Sequence, residues 1–266
     1  VGGRGTFIAF VVLAFIVLIC IIIYIVYKIR HRNLQSVIIV RGSQQLYDMD
    51  ENITFEKSKI SPTTNGQEYT YSFWLYLRDY EETSQTHRPI FMRNNENSYS
   101  GANPVAFLDG KTNRLYFSVK TNQSDTEVSS LDELTPEGDF KYLTAVVEYI
   151  PLQRWVHVAV VVQDNLMTIY LDGSMYTVKN VHDIWNEKET AKRPVLAGTS
   201  RDIHVGVRSS QETETNGFIS YLRFFNYALM QDDVSSLYAD GPNPSNILGK
   251  MGISAYGVRS PIYKIE

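Results

Sequence analysis

Cysteine is almost absent from this chain. Its 266 residues include only Cys20, so the chain cannot form an internal disulfide, and its fold must be held by an apolar core. The length is sufficient for one substantial core. A chain without disulfides is compatible with an extracellular location but does not indicate one.

An excess of positive charge is also missing. The formal net charge is −4 at pH 7, and basic residues cluster only at Lys28, Arg30, His31 and Arg32. Binding to nucleic acid requires a basic face that neutralises phosphates. The composition therefore excludes nucleic acid as a partner.

The sequence lacks the short motifs of several catalytic and metal-binding classes. It contains no phosphate-binding loop, no zinc knuckle and no catalytic-triad motif. Four of its histidines show no metal-ligand spacing: His31, His87, His182 and His204. These absences favour a protein that is not an enzyme.

One long hydrophobic run is present. Residues 7–27 contain no charge, side-chain amide or proline, and the basic residues Lys28, Arg30 and Arg32 follow them. A helix of this length spans roughly 30 Å, about the thickness of a bilayer's hydrocarbon core. The apolar core of a cleavable signal peptide is shorter, about 7 to 15 residues. The sequence therefore predicts a single membrane-spanning anchor over residues 1–32.

The residues that flank this run predict its orientation. Arg4 precedes it, whereas Lys28, Arg30 and Arg32 follow it. Because positively charged flanks tend to stay in the cytoplasm, we expect the C-terminal part of the chain on the cytoplasmic side. The basic flank can also contact anionic lipid headgroups, so the lipid bilayer is a predicted partner.

Three further segments follow the anchor. Residues 33–66 end in a cluster of turn-forming residues and predict a juxtamembrane stalk, in which the apolar run 37–40 can add an edge strand. Residues 67–242 form the predicted globular domain. The tail at 243–266 has glycine, proline and serine at short intervals, which predicts an extended segment that leans on a neighbour.

The globular domain has the pattern of a β protein. In YTYSFWLYL at 69–77, alternate residues face opposite sides, and both sides carry aromatic or β-forming residues. Asp172-Gly173 predicts a hairpin turn. Short strands separated by turns indicate an all-β sandwich of antiparallel sheets. The other predicted strands are 88–93, 105–108, 114–119, 142–150, 155–162, 167–171, 175–178, 203–207 and 217–226.

The remaining parts of the domain are one helix and two long loops. Asp232 and Asp233 favour a helix N-terminus, and Gly241-Pro242 ends the helix. The polar segments 94–103 and 122–139 predict long loops. Long loops on a rigid β scaffold are a usual place for recognition.

Four segments together resemble a known family. They are YTYSFWLYL at 69–77, LYFSV at 115–119, PLQRWVHVAVVVQDNLMTIYLDGSMY at 151–176 and GFISYLRFFNYALMQDDVSSLYADGP at 217–242. They are similar to the concanavalin A-like lectin/glucanase superfamily, and in particular to its laminin-G-like branch. The resemblance implies a jelly roll of two packed antiparallel sheets with a short helix after the last strand. That fold hosts lectins, adhesion modules, enzymes and structural domains, so it does not choose a function.

The glucanases of this superfamily carry an E-x-D-x-x-E strand, because retaining glycosidases need two carboxyl groups about 5 to 5.5 Å apart. That pattern is absent here. We therefore expect no glycosidase activity. His157 lies in the W-x-H-V-A strand that the resemblance highlights, and we expect it to make a structural hydrogen bond.

Members of the family that bind sugars often use Ca²⁺, which prefers carboxylate and carbonyl oxygens. Turn aspartates that could contribute are Asp109, Asp125, Asp164, Asp172 and Asp202, of which Asp109 and Asp172 are the weak calcium candidates. The other interpretation is that these aspartates serve local turn geometry. No dense D-x-D run supports calcium, and the prediction is no cofactor.

Exposed aromatic rings are a second sign of sugar binding, because a pyranose stacks on a flat ring. Trp74, Tyr76, Tyr116 and Tyr170 are the candidates for a glycan-binding or partner-binding surface. The alternative is that these rings pack inside the sandwich or against the stalk.

Two functions remain open from the sequence. The first is a non-catalytic, membrane-anchored jelly roll that tethers or scaffolds a protein assembly at a bilayer. Its resemblance to anchored domains of large icosahedral DNA viruses implies a minor capsid protein that links the shell to an internal membrane, with capsid proteins as partners. The alternative is a membrane-anchored lectin with glycans as partners.

Overall fold

The computed structural model describes two compact units, residues 1–35 and 36–266. The described residues are 2–32, 35–46, 53–63, 67–79, 86–94, 99–122, 128–136, 142–184, 196, 201–206 and 216–242. The tail predicted at 243–266 lies outside them.

The first unit is a single helix, α1 (Gly2–Arg32). The side chains described within it are those of Phe7 and residues 11–25, and all of them are exposed. Among the described residues, no helix has both the length and the hydropathy needed to cross a membrane. Lys28, Arg30 and Arg32 belong to α1, but their side chains lie outside the described set.

The second unit is a sandwich of two antiparallel sheets, as the alternating pattern predicts. In the described part of the chain, sheet A has seven strands: β1 (Ser36–Ile38), β2 (Ser43–Gln45), β4 (Tyr69–Leu77), β9 (Trp155–Gln163), β10 (Leu166–Leu171), β11 (Ser174–Asn180) and β13 (Gly217–Phe225). Its order is β1-β13-β4-β9-β10-β11, and β2 also pairs with β13.

Six strands of sheet B lie among the described residues: β3 (Ile53–Phe55), β5 (Arg88–Arg93), β6 (Val105–Leu108), β7 (Leu115–Lys120), β8 (Tyr142–Val147) and β12 (Ile203–Val205). Its order is β3-β12-β5-β6-β7-β8. The second helix, α2 (Gln231–Asp240), follows β13 and ends at Gly241, whose φ of +80° suits a residue without a Cβ.

The core lies between the two sheets and is rich in aromatic rings. Tyr71 and Phe73 of sheet A meet Phe91 of sheet B, with ring centroids 5.3 and 5.5 Å apart. Phe117 and Phe224 join the same cluster. Because aromatic side chains bury large areas, this cluster can hold the sandwich together without disulfides.

The predicted stalk is the part in which the structure differs most from the sequence-based segments. Of residues 33–66, the described residues from Ser36 onward lie in the second compact unit, and they supply β1, β2 and β3. The pairing of β1 with β13 accounts for the predicted edge strand. These strands are only three residues long, and their pairing depends on partners far away in sequence, so local patterning does not reveal them.

Candidate functional site

Helix α2 covers the outer face of sheet A, the face that points away from the core. The ring of Trp74 stacks on Tyr238 with centroids 5.7 Å apart and an angle of 21° between the planes. The Thr70 hydroxyl donates to the Tyr227 carbonyl at 3.0 Å and accepts from the Leu229 N–H at 3.1 Å. Val234 of α2 is fully buried against this face. These contacts fix α2 on sheet A.

A small pocket remains open between α2 and strands β4 and β13. It contains about 210 Å³ of empty space that is open to solvent, and its enclosed part has room for about one water molecule. We call it the α2 pocket. It is lined by Ser72, Trp74, Tyr221, Arg223, Leu237, Asp240 and Gly241.

Strand β13 is irregular where it lines this pocket. Its register with β4 shifts between Ser220 and Arg223, and Tyr221 has a φ of +48°, which is uncommon for a residue with a side chain. Ile219 and Leu222 both belong to the core, so one extra residue has been inserted in the alternation. After this bulge, each side chain lies on the opposite side of the sheet from the one that simple alternation would give it. Arg223 therefore points to α2 and not into the core.

The guanidinium of Arg223 is the unusual group in the α2 pocket. Its central carbon lies 5.2 Å from the ring centroid of Tyr221, a cation–π contact. Its Nε atom is buried without a hydrogen-bond partner, and among the described residues no ion pair involves this side chain. Asp240 lines the same pocket, and the contacts of the described residues include no ion pair between it and Arg223. A half-buried charge without a partner is unfavourable for stability, which makes it a candidate for function.

His157 lies beside the pocket and makes the structural hydrogen bond that the sequence predicts. Its Nε2 atom is 2.9 Å from the Ser72 hydroxyl, whereas its Nδ1 atom is buried without a partner. Burial and, to a smaller extent, the nearby charge of Arg223 lower the pKa of His157 from 6.5 to about 3. His157 is therefore neutral at physiological pH and does not compensate a charge.

The four predicted aromatic candidates are all buried, with at most 9% of their surface exposed. Trp74 lines the α2 pocket, Tyr76 packs on Trp155 with centroids 5.5 Å apart, and Tyr170 joins the cluster under α2. Tyr116 lies on the other sheet and stacks on Phe107 at 5.0 Å. The four rings therefore do not share one surface, and their role in ligand or partner binding stays a prediction.

Asp172, one of the two weak calcium candidates, has both oxygens in use in the protein. It accepts from the backbone N–H of His157 at 2.9 Å and pairs with Arg154 at 2.9 Å. This arrangement joins the W-x-H-V-A strand to the Y-x-D-G turn. In the described part of the chain, no group of three or more His, Cys, Asp or Glu side chains is arranged to hold a metal ion.

The other candidate, Asp109, is used in its own turn. Its carboxylate accepts from the Lys111 N–H at 3.3 Å and from the Thr112 hydroxyl, and it lies 3.4 Å from Nδ1 of His87. Nε2 of His87 lies 3.3 Å from Asp132. The prediction of no cofactor stays a prediction, and no cluster of ligands among the described residues supports calcium at Asp109 or Asp172.

The predicted recognition loops cover the outer face of sheet B. Their described parts contribute Tyr99, Ala102, Val128, Leu131 and Leu134 to an apolar cluster. Further contacts fix these segments, since the Thr144 hydroxyl donates to the Leu134 carbonyl at 2.6 Å and the Arg201 guanidinium donates to Asn94 and Gly101. These parts of the loops therefore pack against the outer face of sheet B and shield it from solvent.

Arg223, Tyr221 and Asp240 were not among the sequence-based candidates. A signal was present, because Arg223 interrupts the aromatic and aliphatic run of GFISYLRFF. Simple alternation from Ile219 would place Arg223 in the core, so the pattern alone could not show that it lines a pocket. The bulge at Tyr221 decides that placement, and non-glycine bulges have no strong sequence signature.

A family comparison agrees with this architecture. A laminin G-type family model, described as "Concanavalin A-like lectin/glucanases superfamily", matches residues 50–235. The chain belongs to the concanavalin A-like lectin/glucanases superfamily. The resemblance seen in the sequence is thereby confirmed at the level of the superfamily. No curated protein sequence matches the chain significantly.

Solved structures with a similar fold include receptor-binding domains of a toxin. The receptor binding domain of botulinum neurotoxin D is 12% identical with a TM-score of 0.52, and the match covers 77% of this chain and 47% of that one. The serotype D ligand binding domain in complex with N-acetylneuraminic acid is also 12% identical, with a TM-score of 0.52 and coverages of 77% and 45%. This chain thus spans less than half of those structures, and the likeness shows the fold alone.

Proposed function

We propose that this protein is a non-catalytic, lectin-like binding domain that holds a glycan at the α2 pocket and is carried on an N-terminal membrane anchor. The observation that carries the proposal is the pocket itself, in which aromatic rings, an unpaired guanidinium and a carboxylate converge. A few polar groups that converge among apolar side chains are typical of ligand sites.

Family membership supports a binding role. The superfamily includes lectins, and one structure of similar fold is described as a complex with N-acetylneuraminic acid. Because that structure is only 12% identical to this chain, we offer binding of such a ligand here as a proposal. Glycosidase chemistry needs two carboxyl groups that flank the bond to be cleaved. The residues that line the α2 pocket include only one carboxylate, Asp240, which favours binding without catalysis.

The anchor rests on the sequence and on the exposure of α1. Residues 7–27 form an uncharged run, and the described side chains at 11–25 are exposed within their unit. Flotation of the full chain with liposomes tests the anchor. Ile16→Lys/Ile19→Lys should abolish flotation, because each charge near the bilayer centre costs about 2.5 to 3.5 kcal/mol on insertion scales. Flotation of this variant at the wild-type level would contradict the anchor.

The side of the membrane is tested separately. The basic flank predicts that the globular domain lies in the cytoplasm. A lectin that binds glycans at the cell surface would need this domain outside the cell. Protease protection in sealed vesicles distinguishes the two. If added protease removes the domain from cells or right-side-out vesicles, the cytoplasmic placement is wrong and a cell-surface lectin gains support.

A glycan array with the full chain in detergent tests the binding function. We expect a subset of glycans to bind, and Tyr221→Gly to abolish binding, because glycine accepts the positive φ while the ring is lost. Tyr176→Ala is the matched control, since this exposed ring lies on β11, outside the pocket. If the wild type binds no glycan, the proposed function is wrong.

The tether hypothesis, including a minor capsid role, remains a prediction from the sequence. Cross-linking in intact membranes or particles addresses it. Cross-links to one repeating shell protein would favour the tether, and cross-links to glycoproteins would favour the lectin.

A further inference from the structure

We infer that the α2 pocket binds the carboxylate of an acidic sugar residue, with Arg223 as the group that recognises the charge. The inference rests on the proposed glycan-binding function and specifies its ligand class. Three features of the pocket carry it: the unpaired cation, the size of the enclosed space and the second charge at Asp240.

The unpaired cation indicates an anionic ligand. Nε of Arg223 is buried without a partner, the described residues form no ion pair with its guanidinium, and the adjacent Ser72 hydroxyl is engaged with His157 at 2.9 Å. An arginine fork binds a carboxylate or a phosphate through two parallel, charge-assisted hydrogen bonds. An anion in the pocket would supply the partner charge that the described residues do not give to this guanidinium.

The size of the pocket selects among anions. Its enclosed part has room for about one water molecule, whereas pockets for drug-sized ligands measure roughly 300 to 1,000 Å³. A carboxylate, with three heavy atoms in a plane, needs less widening of this space than a tetrahedral phosphate or sulfate group does. The rest of the ligand must then lie at the mouth, beside the ring of Tyr221.

Asp240 argues against a ligand of high charge. It lines the same pocket as Arg223, and its carboxylate repels any anion that enters. A polyacidic peptide would meet this repulsion with each of its charges, whereas a sugar acid brings only one charge. The aromatic ring of Tyr221 beside the guanidinium offers a surface for a sugar ring. These features favour an acidic glycan over an acidic peptide.

The test measures affinities of the full chain in detergent for four probes: 3′-sialyllactose, its methyl ester, lactose, and a peptide of six glutamates. We expect 3′-sialyllactose to bind at least tenfold more tightly than the methyl ester or lactose. Arg223→Gln should weaken sialyllactose binding about 10- to 100-fold, the range for a lost hydrogen bond to a charged group. Arg223→Lys should retain part of the affinity, because it keeps the charge but loses the fork.

Arg78→Gln is the matched control, because Arg78 also lies over an aromatic ring, 4.8 Å from the centroid of Phe218, but outside the pocket. It should retain wild-type affinity. Equal binding of sialyllactose and its methyl ester, or wild-type affinity in Arg223→Gln, would overturn the acidic-sugar inference and leave glycan binding intact. If the glutamate peptide binds more tightly than 3′-sialyllactose, the ligand of the pocket is an acidic peptide and not a glycan. If none of the glycans in the array binds, both proposals fail.

Discussion

The outer faces of the two sheets are both covered, but in different ways. On sheet B, described parts of two loops seal the face, and the buried His204 has both ring nitrogens bonded, to Thr54 at 3.1 Å and to Asn94 at 2.9 Å. On sheet A, one helix covers the face, and both His157 and Arg223 have a buried nitrogen without a partner. A buried histidine with both nitrogens bonded, such as His204, serves stability, whereas the guanidinium of Arg223 beside a pocket is available for a ligand.

The largest expected difference between the two covers is in packing. Leu134→Ala in the cover of sheet B removes a fully buried side chain and should lower the free energy of unfolding by about 2 to 5 kcal/mol. Leu237→Ala in α2 removes a half-buried one that lines the pocket and should cost only about 1 to 2 kcal/mol. Urea denaturation measures both. If the two substitutions lower the free energy of unfolding equally, the proposed difference between a tightly packed cover on sheet B and a loosely packed one on sheet A is wrong.

His157 provides a test that depends on pH. Burial and then Arg223 lower its pKa from 6.5 to about 3, so between these values the unfolded chain binds a proton that the folded chain does not. The free energy of unfolding should therefore fall as the pH falls through this window, by up to about 1.4 kcal/mol per pH unit from this residue.

Urea titrations at pH 6.5, 5.5 and 4.5 measure this dependence. His157→Gln should reduce the slope, because glutamine does not titrate and can still bond to Ser72. In Arg223→Gln, the pKa of His157 should rise but stay below 6.5, because burial is the larger cause. An unchanged slope in His157→Gln would show that other groups account for the pH dependence.

Two half-buried arginines allow a matched comparison between the faces. Arg201 donates to the Asn94 side chain at 2.6 Å and to the Gly101 carbonyl at 3.0 Å, so Arg201→Gln should cost about 1.5 to 3 kcal/mol. Arg223 lacks such bonds among the described residues, and Arg223→Gln should change stability by less than about 0.5 kcal/mol. Thermal and urea unfolding check both values. A large loss in Arg223→Gln would show that this arginine is structural.

Much of the fold could be predicted from local patterns. The strand at 69–77 and the strands at 88–93 and 105–108 match the structure residue for residue, and the helix predicted from Asp232 begins one residue earlier. Strong alternation, a two-residue hairpin signal and turn formers define such elements. The strands β1 to β3 could not be found in this way, because each depends on pairing with a distant strand.

The candidate site was much less predictable. The sequence indicates which residues are aromatic, but not that Trp74, Tyr76, Tyr116 and Tyr170 are covered by α2, by neighbouring rings or by loops. Whether a ring is exposed depends on elements far away in the chain. Arg223 reaches the pocket only because of the bulge at Tyr221, a local irregularity that alternation does not reveal.

The smallest expected effect concerns the second charge of the α2 pocket. Asp240 lines the pocket but forms no ion pair with Arg223 among the described contacts, so it weakly repels an anionic ligand. Asp240→Asn should raise the affinity for 3′-sialyllactose by less than about fivefold, since two charges 4 Å apart in water interact by about 1 kcal/mol. The gain should shrink as salt rises, because the screening length falls to about 8 Å at 0.15 M. Asp232→Asn, at the other end of α2, is the matched control and should leave affinity unchanged. A loss of affinity in Asp240→Asn would instead show that the carboxylate itself accepts a hydrogen bond from the ligand.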